Sequence, residues 1–352
     1  MSNRVVLRPA LPASTAAAWH VTALAASLLG MAAAAPAAAQ TVNIYGQIRL
    51  TANSIKTGNA SDVKELRDNA SRLGFRGRED LGGGLVAYFG LEMGIDADAG
   101  TTTSPPYRNS YVALGSPTLG TIALGRLDSA NPTGSPLYSQ VTAIVAFAPN
   151  DAGATAIGTS MLNARNRTSN AIGYQTPSFD GFSVRLRGYL RGAGTTAEPE
   201  NAARSLDAGF NYAGGRVKAG LGWGKDERAG GLLPNEFSQK WQAGLQYDFG
   251  IVKAYALGGR DRYRNTATSR ADVDYALVGS ALTLGVHRIV LNLMKRDVQS
   301  NRAGERERGQ LAYQYALSRR TELQAFYDHD GIDSSRSNVK VRAFGAGVRH
   351  DF

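Results

Sequence analysis

Ser71-Arg72-Leu73-Gly74-Phe75-Arg76-Gly77-Arg78 is followed, past the connection Asp80-Leu81-Gly82-Gly83, by Leu85-Val86-Ala87-Tyr88-Phe89-Gly90-Leu91-Glu92-Met93-Gly94-Ile95. Leu73 and Phe75, then Leu85, Ala87, Phe89, Leu91, Met93 and Ile95, form one set. Arg72, Gly74, Arg76 and Arg78, then Tyr88, Gly90, Glu92 and Gly94, form the other. A period of two puts each set on one face of a strand. The Gly-rich connection is short enough to make the two strands an antiparallel hairpin. The apolar face has to be buried either against a second sheet, as in a sandwich, or in lipid, as in a membrane barrel.

The rest of the chain repeats this pattern. Val42, Ile44 and Ile48 begin a strand that runs to about residue 53, and a polar stretch over 54–70 leads into the hairpin. Further strands are expected over 108–114, 121–127, 168–175, 182–190, 206–212, 217–223, 241–249, 252–263, 272–284, 287–298, 308–316, 321–329 and 339–352. Short turns alternate with long polar loops, as in an up-and-down meander. Aromatics near strand ends, among them Tyr45, Tyr174, Tyr189, Tyr247, Phe249, Tyr263, Tyr315, Tyr327 and Phe344, suit interfacial girdles. Sixteen strands is an even number, so the last can pair with the first and leave no edge. A dry soluble core would charge several kcal/mol for each unpaired ion on the Arg-, Gln- and Asp-rich face, whereas a water-filled interior accommodates them. The fold expected is an all-β, 16-stranded antiparallel transmembrane β-barrel.

The 352 residues contain 41 glycines, 15 tyrosines and no cysteine, which removes disulfides and thiolate metal sites. Four histidines, His20, His287, His329 and His350, show no metal-ligand spacing, so no metal and no cofactor is expected. Residues 1–39 read as a signal peptide: Arg4 and Arg8, an apolar run over 21–35, then Ala37-Ala38-Ala39 as a cleavage site. The barrel is then residues 40–352, with 37 basic and 29 acidic residues and a net charge of +8. The basic residues are spread along the strands rather than clustered, which argues against a nucleic-acid partner.

Residues 128–166 interrupt the alternation. They carry Pro132, Pro136 and Pro149 among apolar residues such as Ile144, Val145 and Phe147. A loop so long and so apolar should not hang in solvent. It either covers the mouth or a neighbouring subunit, or folds into the interior and narrows it.

Several motifs together resemble the general trimeric porins of beta-proteobacterial outer membranes. They are Gln40-Thr41-Val42-Asn43-Ile44-Tyr45-Gly46, Ser71-Arg72-Leu73-Gly74-Phe75-Arg76-Gly77, Glu79-Asp80-Leu81-Gly82-Gly83-Gly84-Leu85, Leu124-Gly125-Arg126, Tyr174-Gln175-Thr176-Pro177 and Gly347-Val348-Arg349-His350-Asp351-Phe352. The resemblance implies a homotrimer of 16-stranded barrels in the Gram-negative outer membrane, surrounded by lipid and lipopolysaccharide. It also implies a third loop, 128–166, folded inward as a constriction, and passive diffusion of small hydrophilic solutes, often with anion preference. An arginine cluster at the constriction is implied at Arg72, Arg108, Arg126 and Arg167. The terminal Phe352 is implied to be a signal read by the outer-membrane insertion machinery.

Parity agrees for two of these arginines. Arg72 is opposite to Leu73 and Phe75, and Arg167 is opposite to Ile172 and Tyr174, so both face inward. Parity leaves Arg108 open. Arg126 shares parity with Ile122 and Leu124, and an unpaired Arg in lipid costs about 2–4 kcal/mol at midplane depth. The strand is therefore expected to bend or bulge before it. Asp128 and Asp151 are the acidic residues of the interruption, and Glu92 on the inner face is expected to face the arginines from across the passage. With few carboxylates the arginines dominate and favour anions. A substrate-selective channel for organic anions and a non-conducting adhesin or structural barrel are the alternatives. An enzyme would need a nucleophile, base and orienting partner that the scattered histidines do not supply.

Overall fold

The computed structural model describes residues 41–128, 167–189, 203–228, 237–264, 270–299, 304–334 and 337–352. The expected signal peptide and nearly all of the expected inward loop, from 129 onward, lie outside the described residues. The described chain is all strand: β1 (Thr41–Thr57), β2 (Val63–Asp68), β3 (Ser71–Gly82), β4 (Leu85–Asp96), β5 (Thr101–Ser116), β6 (Gly120–Asp128), β7 (Arg167–Gln175), β8 (Phe182–Tyr189), β9 (Ala203–Gly214), β10 (Val217–Arg228), β11 (Phe237–Asp248), β12 (Val252–Arg264), β13 (Arg270–Leu284), β14 (His287–Gln299), β15 (Gly304–Ala316), β16 (Thr321–Ser334) and β17 (Ser337–Asp351).

These segments make one closed antiparallel barrel of sixteen staves. Strands β3 to β17 each pair with the next in sequence, and β17 returns to β1 with Gln47 opposite Asp351 and Thr57 opposite Val341. The tally is sixteen because β2 and β3 share one stave: β1 pairs with β2 over Leu50–Ile55 and with β3 over Thr41–Gln47. The polar stretch after residue 53 thus holds strand, because β1 continues to Thr57 and β2 answers it.

Hydrogen bonding explains the closure. An edge strand in hydrocarbon would leave a row of unsatisfied N–H and C=O groups, so a sheet that spans a bilayer has to join its own ends. The joint extends to the last residue, where Gly46 N–H donates to Phe352 O and Phe352 N–H donates to Gly46 O, each at 3.1 Å. The Phe352 ring occupies the space above Gly46, since a Cβ there would lie 2.5 Å from Phe352 Cζ.

The two faces differ as alternation requires. Ile44, Phe75, Leu91, Val112, Leu124, Phe210, Leu221, Leu245, Leu293 and Phe344 are exposed on the outside. The inside carries buried polar groups instead: Gln47, Glu92, Asn109, Arg187, Lys240, Gln242, Asn292, Arg308, Gln324 and Asp328. Aromatic rings on the inner face lie over glycines of the adjacent stave; the position of a Gly90 Cβ is 2.5 Å from the Tyr111 ring. Small apolar clusters such as Ala281, Val290, Ala312, Phe326 and Ala343 complete the wall.

Face assignment is testable by charge. Leu221 is 59% exposed on the outer face, and Lys218 lies three residues away on the inner one. Leu221→Arg should lower the folded fraction by an amount equivalent to about 2–4 kcal/mol, the midplane cost of a lipid-facing Arg. Lys218→Ser should leave it within about 0.5 kcal/mol. Semi-native electrophoresis of refolded protein reads both, and equal behaviour of the pair would contradict the topology.

Candidate functional site

Glu92 is the hub of the inner wall where β1, β3, β4 and β5 meet. Its side chain is 9% exposed, and it accepts from Arg108 Nε at 2.7 Å and from the Tyr45 hydroxyl at 3.1 Å. Arg72 Nε lies 3.6 Å from its second oxygen. Arg76 stacks over the Tyr45 ring at 5.0 Å, so the tyrosine links a second arginine of β3 to the carboxylate. Gly74 makes this possible, because a Cβ there would stand 2.3 Å from Tyr45 Cζ.

Each arginine implicated by the sequence sits beside an irregularity in the ladder. Between Gln47–Arg72 and Leu50–Asp68, β1 advances three residues and its partner four, so the stave holds one extra residue near Asn69-Ala70. Ala70 has φ 64°. Local groups repair the break: Arg49 N–H donates to Ser71 Oγ at 2.9 Å, Gln47 Nε2 to Ala70 O at 3.0 Å and Ser71 N–H to Asp68 Oδ2 at 3.1 Å. Arg72 follows directly, facing inward as its parity indicates.

Arg108 is placed by a second bulge. Glu92 pairs with Asn109 and Met93 with Tyr107, so Arg108 is the residue without a partner in register. A bulge turns its side chain from the alternation and aims it at Glu92. This resolves the face that parity left open. It also changes the expected part of Glu92, which pairs with the arginines on their own wall instead of facing them across the passage.

The strand before Arg126 bends at Gly125, but the extra residue of the bulge lies in β7, at Ser169-Asn170, and β6 keeps its register with β5. Gly125 and Leu127 pair with Ala171 and Thr168, two residues against three, and Gly125 has φ 138°. Yet Leu127 shares a buried cluster with Ala113, Ala123 and Ala171, so the inner face resumes on either side of Arg126. Its guanidinium donates to Tyr107 O at 2.8 Å and Ser169 Oγ at 2.7 Å, tying β5 to β7. The Glu92 hub therefore gathers Arg72 and Arg108, while Arg126 is bonded to other partners. Arg167 stands opposite buried Asp128, where β6 and β7 flank the interruption at 129–166.

Alternation already sets Arg76 and Arg78 on the face of Arg72, whereas no signal in the sequence singled out Arg49 and Arg349. Arg49 donates to Gln324 at 3.1 Å, and Arg349 pairs with Asp351 at 2.8 Å and approaches Glu322 at 3.8 Å. Arg78 lies 5.8 Å above the Tyr88 ring. This side of the wall thus holds Arg49, Arg72, Arg76, Arg78, Arg108 and Arg349 around Glu92, Glu322 and Asp351. Elsewhere on the inner wall several cations are matched singly: Arg187 by Asp207, Lys240 by Asp261 at 3.0 Å, Arg306 by Asp330 at 3.0 Å, and Arg308 by Asp328. Among the described residues no group of His, Cys, Asp or Glu could hold a metal ion.

A family profile described as Gram-negative porin matches residues 22–335. The chain is 26% identical to an outer membrane porin protein of Bordetella pertussis, over 94% of this chain and 99% of that one. It is 30% identical to outer membrane porin protein 32 of Delftia acidovorans, over 72% of each. Among solved structures, the anion-selective porin from Comamonas acidovorans shares the fold with a TM-score of 0.71 at 23% identity, covering 89% of this chain and 100% of that one. The trimer form of OmpT of Vibrio cholerae does so at 0.68 and 13% identity, covering 90% and 100%.

Distances rank the hub's two ion pairs. Arg108, with a 2.7 Å bond and a 16% exposed side chain, should couple to Glu92 by about 1–3 kcal/mol in a double-mutant cycle of Arg108→Met and Glu92→Gln. Arg72, at 3.6 Å and 30% exposed, should couple by less than about 1 kcal/mol. Urea unfolding in lipid vesicles measures both, and a reversed order would contradict the hub geometry.

Proposed function

The chain belongs to the Gram-negative porin family and is a diffusion porin of the outer membrane, and from its inner wall we propose that it prefers anions. One observation carries the preference: the arginine group around Glu92 outnumbers its carboxylates, while Arg187, Lys240 and Arg308 elsewhere on the wall are each matched by a carboxylate. Close ion pairs present little net charge to a passing solute, so the field is set where guanidinium groups are in excess. A unit charge ~4 Å away is worth roughly 1–4 kcal/mol between bulk water and a partly desolvated passage. Charges on outer loops are screened over ~8 Å at physiological salt. The Comamonas acidovorans porin that shares this fold is anion-selective, in keeping with this reading.

Small hydrophilic solutes cross passively in this reading, and Arg72, Arg108, Arg126, Arg167, Glu92 and Asp128 line or flank the narrowest part. Residues 128–166 form the inward loop that opposes them, and residues 1–39 are removed on export. The barrel works as a homotrimer; the trimeric form of OmpT supports that assembly for the fold. Phe352, whose ring and backbone both engage Gly46, serves as the signal for the insertion machinery as well as the barrel's last residue.

The preference is read as a reversal potential in a potassium chloride gradient across a planar bilayer. Replacing Arg72, Arg108 and Arg167 together by Ser should shift it toward cation preference, and Glu92→Gln should shift it the other way by freeing Arg108 and Arg72. An unchanged potential in the triple variant, with the barrel folded, would remove these arginines from the selectivity filter.

Deleting Phe352 should slow insertion in cells several-fold while refolding into detergent proceeds. Insertion at the normal rate would leave Phe352 as a girdle residue only.

A further inference from the structure

We propose that the inner wall between the Glu92 hub and the short-turn end holds a stacking station that prefers planar aromatic carboxylates over other anions. Its parts are Arg76 and Arg78 of β3 and the rings of Tyr45, Tyr88 and Tyr111. This rests on the porin reading given above and names the class of solute that the arginine wall favours. β3 runs from Ser71 to the turn at 83–84, so Arg76 and Arg78 lie past Arg72 on the same face. In register, Arg76 stands between Asn43 of β1 and Gly90 of β4, and Arg78 between Thr41 and Tyr88.

Each guanidinium is backed by a ring. Arg76 lies 5.0 Å from the centre of the Tyr45 ring and Arg78 5.8 Å from that of Tyr88, both within cation–π range. The rings are themselves held. Tyr45 donates to Glu92 at 3.1 Å, the Tyr111 ring covers Gly90, and Tyr88 and Tyr111 pack against the buried cluster of Ala113, Ala123, Leu127 and Ala171. Both arginines are exposed, and among the described residues neither forms an ion pair. Arg72 and Arg108, by contrast, share Glu92. Arg76 and Arg78 thus keep one side on tyrosine and the other toward the passage, with their charge uncompensated.

Charge alone does not call for this construction. Chloride needs only a cation, and a lysine, a strongly hydrated point charge, would supply it. A guanidinium is planar and weakly hydrated, so it stacks on an aromatic face with N–H groups still free at its edge. With tyrosine on one side, the open side takes a second aromatic plane, and the ring of a solute completes the stack. Arg76 and Arg78 are two residues apart on one face, ~7 Å along the strand. A benzoate ring laid over one guanidinium reaches the other with its carboxylate, which accepts charge-assisted hydrogen bonds there. A saturated ring of the same charge has no π face to stack and gains the ionic part alone.

Benzoate and cyclohexanecarboxylate carry the same charge at neutral pH and differ in planarity, so their block of the chloride current across a planar bilayer tests the station. Benzoate should reach half-block at a concentration about fivefold lower. Arg76→Lys with Arg78→Lys keeps both charges and should shrink that difference to less than about twofold. Tyr88→Leu should reduce it about twofold by removing one backing ring. If Tyr88→Leu prevents folding, the lysine pair, at exposed positions, decides alone. Equal block by the two acids in the natural protein, or an undiminished preference for benzoate in the lysine pair, would overturn the proposal. The reversal potential in potassium chloride separates the two levels. Anion preference with equal block overturns the station and leaves the porin reading standing, while cation preference overturns the anion-selective reading and the station with it.

Discussion

A sheet in hydrocarbon has no solvent to satisfy its backbone, so every N–H and C=O must find a partner within the sheet. The closure of β17 on β1 is the direct consequence. The same constraint makes any irregularity in the ladder costly unless neighbouring groups repair it. At Asn69-Ala70 the repair comes from Ser71 Oγ, the Asp68 carboxylate and Gln47 Nε2, and Ser71 is fully buried as a result. Such repairs consume polar side chains, and a barrel that tolerates several of them has a reason to keep them.

The reason lies in where the bulges occur. Three of them adjoin these arginines: one precedes Arg72, one contains Arg108, and one lies in β7 between Arg167 and the residues opposite Arg126. In a strand of period two, an inserted residue is the available means of changing which side a group points to. Regular ladder would have left Arg108 facing away from one neighbour or the other. The bulge instead brings its Nε to 2.7 Å from Glu92, where Tyr45 and Arg72 already converge. Backbone irregularity and charge concentration are therefore one feature of this wall, seen in two ways.

That coupling also marks the limit of what the chain discloses as a sequence. Uninterrupted alternation, as over Val217–Arg228 and from Trp241 to Asp248, is legible because burial in lipid demands it residue by residue. Arg72 was legible because the extra residue before it lies outside the run that sets its parity. Arg108 was not, since parity reasoning assumes an unbroken ladder and the break is at Arg108 itself. At the Gly-Arg pair 125–126 the cost of an arginine facing lipid points to an irregularity, but the extra residue is in β7, and the hydrogen bonds of Arg126 to Tyr107 and Ser169 depend on how β5 and β7 sit alongside. Strand β2 was hidden for a simpler reason. Val63–Asp68 reads as polar loop, and it becomes a strand because β1 overhangs it and offers a ladder.

Net charge is a poor guide to the field inside such a barrel. The chain is +10 overall, but a uniform scatter of that charge would favour anions only weakly and would be screened. What matters is how cations are neutralised. Arg187, Lys240 and Arg308 each have a carboxylate beside them, and all three are almost fully buried in the wall. Their removal from water is tolerable because each charge is paired, and pairing cancels their reach. Around Glu92 the balance differs: one carboxylate holds Arg108 and steadies Arg72, and Tyr45 carries Arg76 on its ring. A single negative charge fixes the positions of several positive ones without neutralising them. A fixed, part-solvated excess acts on a solute without first having to reorganise, which is why this small region, and not the sum over the chain, should decide which ion passes.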